Sequence, residues 1–165
     1  MPERFSVNGK AKPSSKLALT EFDAHSKALR AKIGERLDHL TALWQENEKR
    51  LLALQQPRQV YHPYKDDNLQ YDPDRDDGMY TVYCIGIAKY SGKWRLCLGT
   101  YHQREMWEYG ENISWCPVAD CSMEERMEAA PYVKNLEQKI VETGEKIIPK
   151  LDEAIRHLED ALAGV

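Results

Sequence analysis

Between residues 80 and 99 the chain reads YTVYCIGIAKYSGKWRLCLG. Two runs rich in Val, Ile, Leu, Thr and aromatic residues flank Ser91-Gly92, and a two-residue connection ending in glycine suits a tight hairpin turn. Such a turn fixes register, because every opposed pair is counted from it. Tyr90 then faces Lys93, Ile87 faces Leu96 and Ile85 faces Leu98. One face of the hairpin carries Ile85, Ile87, Leu96 and Leu98, with Trp94, and is predicted to pack on helices. The other carries Val82, Cys84, Gly86, Ala88, Arg95, Cys97, Gly99 and Tyr101. Its centre is built from small residues where a solvated strand takes Thr, Lys or Glu. Glycine inside a strand weakens it and often marks close approach by another group, so something is expected to lie flat on this face. Three occupants are open: a sheet or helix of a second copy, the segment 57–78 folded back, or an external ligand.

The rest of the chain reads mainly as helix. Over residues 14–56 apolar side chains recur at Leu19, Phe22, Leu29, Ile33, Leu37, Leu40, Trp44, Leu51 and Leu54, at gaps of three, four or their sums. Pro57 ends the run. Ser26 and Asn47 fall on the stripe, and Arg36 and Leu37 compete for one position. This is either an irregular helix on a mixed core or a coiled-coil seam with a stutter. Ser122-Met-Glu-Glu is a capping box opening a short helix to about Ala130, and Pro131 suits the first turn of a second long helix. Its stripe is Val133, Leu136, Ile140, Ile147, Leu151, Ile155, Leu158 and Leu162, with Pro149 inside predicting a kink.

Neither long helix can bury its apolar face alone. The expected fold class is therefore α+β, with two long antiparallel, coiled-coil-like helices packed with a central three-stranded antiparallel β-meander. Residues 1–13 read as a flexible tail and 14–165 as a single domain. Within it, 14–56 is a long helix, 57–78 an acidic Pro- and Tyr-containing connection, 79–117 the meander, with strands near 79–90, 93–103 and 106–116, and 122–163 a short helix plus a kinked long one. The first long helix outruns the second, and that surplus predicts a homodimer.

Charge and motifs narrow the chemistry. A net charge of −4 over 165 residues opposes a general nucleic-acid binder, which carries a basic field. No apolar run has membrane-spanning length, and the opening MPERFSVNGKAKPSSK lacks a signal-peptide core, so a cytoplasmic location is expected. Cys84, Cys97, Cys116 and Cys121 lack the paired knuckle spacing of a zinc site and read as buried free thiols. Asp72, Asp74 and Asp76 match the first ligands of a calcium loop, but Asp77 stands where it needs Gly and Tyr83 where it needs Glu. His25, His39, His62, His102 and His157 join no nucleophile or HExxH motif, and a dyad of His102 with Glu105 needs a pocket to work in. No metal, cofactor or catalytic residue is assigned. The expected role is a non-catalytic binding protein, an adaptor or inhibitor, acting as a homodimer with a possible protein partner. A small-ligand sensor using a sheet–helix cleft is the alternative, and an enzyme of unrecognised type the third. The expected binding surface comprises Tyr83, Cys84, Gly86, Tyr90, Arg95, Cys97, Gly99, Tyr101, Trp107 and Trp115, the aromatic members forming its rim.

Overall fold

The computed structural model describes residues 15–54, 58–67, 79–104 and 112–164. The elements run α1 (Ser15–Leu54), β1 (Val60–Asp67), β2 (Met79–Tyr90), β3 (Lys93–Arg104), β4 (Ser114–Pro117), α2 (Met123–Ala129) and α3 (Val133–Ala163), with 3-10 turns at Val118–Asp120 and Ala130–Tyr132. The four strands form one antiparallel sheet in the order β1-β2-β3-β4. The class is α+β, as expected, but the sheet has one strand more than the meander read from sequence. Part of the expected 57–78 connection is β1, and of the expected strand at 106–116 the described residues give β4, with 106–111 outside them. The tail 1–13, the aspartates of 72–77, Glu105 and Trp107 lie outside the described residues.

The composition of β1, VYHPYKDD, explains the misreading. Proline cannot donate to a ladder and two aspartates resist strands, so the segment lacks an inner strand's signature. It forms because β1 is an edge: its register shifts between Pro63 and Lys65, a bulge that lets the proline sit in the strand.

The hairpin register is the expected one, with Ile87 opposite Leu96, Ile85 opposite Leu98 and Tyr83 opposite Thr100. Both turn residues are left-handed, Ser91 at φ 49° and Gly92 at φ 79°, the signature of a type I′ turn whose twist matches the strands. Gly92 adopts this conformation freely, whereas a non-glycine residue there is disfavoured by roughly 1–2 kcal/mol.

The chain divides into two compact units, Met1–Leu40 and Thr41–Val165. In the first, α1 is helical from Ser15, and Leu19, Phe22, Leu29 and Ile33 are all exposed. In the second, one sheet face takes the helices. Val60, Ile87 and Leu96 share a row on it, and His62, Ile85, Leu98 and Cys116 the next. Tyr132, just before α3, stacks on His62 and Tyr64 with ring centroids 6.3 and 4.8 Å apart. Trp44 and Leu51 of α1, Ala129 of α2, and Leu136 and Ile140 of α3 are buried with Ile85, Ile87, Leu96 and Leu98. Each fully buried Leu or Ile contributes roughly 1.5–3 kcal/mol.

Polar clamps fix how these helices dock. The Glu48 carboxylate accepts from Arg95 Nε at 2.7 Å and from the Leu96 backbone N–H at 3.1 Å. Arg50 pairs with Glu137, and Lys65 with Glu128. The capping box of α2 forms as read: Ser122 Oγ accepts from the Glu125 N–H and Glu125 Oε2 from the Ser122 N–H. Helix α3 carries Pro149 without a break. No helix among the described residues is long and apolar enough to cross a membrane.

Replacing Ser91 by Asn, which tolerates the left-handed region and favours the type I′ turn before Gly92, is expected to stabilise the protein by about 0.5 kcal/mol or more in urea denaturation. No gain would mean that the turn differs in type.

Candidate functional site

The small-residue face is closed by the chain's own aromatic side chains. Strand pairing sets Tyr61, Gly86, Cys97 and Pro117 in one row and Pro63, Cys84, Gly99 and Trp115 in the next. From β4 the Trp115 indole lies over Gly99 and reaches Gly86, two strands away. A Cβ on Gly99 would stand 2.7 Å from two indole carbons and 2.6 Å from Ile113 Cγ2. One on Gly86 would stand 2.7 Å from Trp115 Cη2 and 2.8 Å from both Tyr61 Cβ and the Val60 carbonyl oxygen. Real Cβ atoms do not approach so closely, so both positions require glycine as long as the indole stays there.

Tyr61 completes the cover. Its ring meets Tyr101 and Trp115 edge-on, at 6.0 and 6.3 Å, the arrangement ring quadrupoles favour. Val82, Cys84 and Tyr101 form a buried cluster with Tyr61, Ile113 and Trp115 packed on it. Burial pushes the Cys84 and Cys97 thiols up to about 12, so both stay protonated at neutral pH and behave as small apolar groups.

Of the ten residues assigned to a binding surface, six meet on this face: Cys84, Gly86, Cys97, Gly99, Tyr101 and Trp115. They meet as packed interior. Trp115, expected at the rim, lies across the centre. Arg95 shares the face but is held by Glu48. Tyr83 is on the helix-covered face, with Lys65 Nζ 5.1 Å from its ring centroid, and Tyr90 stands exposed beside the turn. His102 Nδ1 lies 3.3 Å from Thr81 Oγ1. No group of three or more His, Cys, Asp or Glu is placed to hold a metal among the described residues.

The open feature is elsewhere. A cleft of about 530 Å³ runs between β1 and α3. On the sheet side it is walled by Arg58, Tyr61 and His62, with Tyr101 beneath. On the helix side stand Lys139, Lys146 and Lys150, at i, i+7 and i+11, which places them on one helix face. Burial and the nearby Lys139 charge push the His62 imidazole below its ordinary range, so the ring is neutral at pH 7. Sequence reasoning missed this cleft because it had no strand at 60–67. The Lys139/Lys146/Lys150 spacing was the available signal, and it acquires meaning only once β1 lies beside α3. A smaller hollow of about 230 Å³ near Tyr83 and Ser114 has the opposite character, with Glu125 and Glu128 in its wall.

Comparison with family models, with curated proteins and with solved structures finds no match to this chain.

Gly99→Ala is expected to destabilise the protein by roughly 1–3 kcal/mol in chemical denaturation, by overpacking against Trp115 and Ile113. Combined with Trp115→Leu, the loss should fall well short of additive, since the smaller side chain frees the space. Strict additivity would place the indole away from Gly99.

Proposed function

We propose that this chain is a non-catalytic interaction protein that works as a homodimer assembled through its long helices. The observation that carries this reading is the fate of one stripe on α3. Leu136, Ile140 and Gly144 are buried on the sheet, and Ile147 is half-buried. The row then continues through Leu151, Ile155, Leu158 and Leu162, all more than half exposed, with Ile148 beside it. The gaps from Leu136 to Leu162 run 4, 4, 3, 4, 4, 3, 4, an eleven-residue repeat that keeps the row on one side of a nearly straight helix. The exposed part, residues 148–162, spans about 22 Å at 1.5 Å per residue. A contiguous apolar row of this length, continuing a buried core, marks an association surface.

A second copy offers a matching exposed apolar stripe on α1, Leu19, Phe22, Leu29 and Ile33. Asp152 and Glu159 flank the exposed α3 row on one side, with Lys150, Ala154 and Ala161 on the other. A helix seated there is best neutral or basic at its flanks. The exposed stripe of α1 in a second copy has mixed flanks, with His25, Arg30 and Lys32 as well as Glu21 and Asp23 beside Phe22, Leu29 and Ile33. The four cysteines are unpaired, which suits a reducing compartment such as the cytoplasm. The cleft between β1 and α3 favours ligand binding as a second reading.

Sedimentation of the full chain is expected to give twice its 19.1 kDa mass. Ile155→Glu with Leu158→Glu should halve that mass while leaving the cooperative unfolding of the sheet in place, because both residues are exposed within one chain. A wild-type protein that remains single at high micromolar concentration contradicts the proposal.

A further inference from the structure

We propose that the cleft between β1 and α3 binds a polyphosphate-bearing anion of about nucleotide size. Arg58, Lys139, Lys146 and Lys150 line it, and no aspartate or glutamate among the described residues does. That segregation stands out in a chain with 27 acidic and 23 basic residues. Several cations elsewhere in the same unit are paired, Arg50 with Glu137, Lys65 with Glu128 and Arg95 with Glu48. No carboxylate among the described residues forms an ion pair with Lys139, Lys146 or Lys150. Like charges held along one wall repel one another, and a multivalent anion between them relieves the repulsion.

Length and shape select the class. Lys139 and Lys150 are eleven residues apart, about 16 Å along the helix, more than one phosphate or carboxylate spans and suited to a chain of phosphates. A volume of about 530 Å³ admits a nucleoside polyphosphate, with Tyr61 and His62 lining it from opposite faces of β1. Burial, and secondarily the Lys139 charge, lower the basicity of His62. An extended acidic peptide added to the edge of β1 fits less well, since Pro63 offers no N–H and the bulge beside it interrupts the edge.

The test is calorimetric titration of the full-length protein with ATP, tripolyphosphate and citrate, at low salt and again at high salt. ATP and tripolyphosphate are expected to bind more tightly than citrate, with affinity falling as salt rises. Lys146→Ala with Lys150→Ala should weaken both phosphate probes roughly tenfold or more. Lys134→Ala, an exposed α3 lysine outside the cleft, should leave them unchanged. No binding of either phosphate probe at millimolar concentration, citrate binding as tightly, or an equal loss in Lys134→Ala would each overturn the proposal. Binding that persists in the Ile155→Glu, Leu158→Glu variant separates this site from self-association.

Discussion

The indole of Trp115 rests on the bare backbone of Gly99 and extends to Gly86, and the organisation of the sheet follows from that contact. With no Cβ at either position, one aromatic ring crosses from β4 over β3 to β2 and shields Cys84 and Cys97 between them. Tyr61 closes the same surface from the other edge. A four-stranded sheet thereby covers one face with its own side chains, and the helices are needed only on the other. The small residues that suggest a docking surface are the space reserved for that ring.

Covering one face internally decides where unsatisfied apolar surface remains. The helix-bearing face is filled by Leu51, Leu136 and Ile140. Its supply of sheet ends before α3 does, so the row from Leu151 to Leu162 emerges exposed. Polar chemistry is partitioned similarly. Glu48, Glu128 and Glu137 are used as clamps, and the α3 lysines that line the cleft beside β1 pair with no carboxylate among the described residues. The exposed apolar row and the cleft lysines therefore occupy different faces of the same helix.

Local rules made part of this legible. Ser91-Gly92 determined the hairpin register because turn length alone sets it, and Ser122 with Glu125 determined the start of α2 because a capping box is a four-residue signal. The periodic row of α3 was readable from spacing. Strand β1 was not, because Pro63, Asp66 and Asp67 argue locally for a loop and the strand exists only through pairing with β2. The position of Trp115 was equally hidden. That it pairs with Gly99, and so sweeps across the centre instead of lining a rim, depends on where β4 docks. The cleft required β1 and α3 together, and neither segment announces it alone.

The claim that the chain covers its own sheet face is tested most directly by thiol alkylation across a dilution series, read residue by residue. Cys84 and Cys97 are fully buried with thiols pushed up to about 12. Both should resist labelling at every concentration down to where only single chains exist, and both should become reactive in a Trp115→Ala variant that still folds. Labelling of Cys84 or Cys97 in dilute wild-type protein, with protection returning only as concentration rises, would show instead that a second copy supplies the cover.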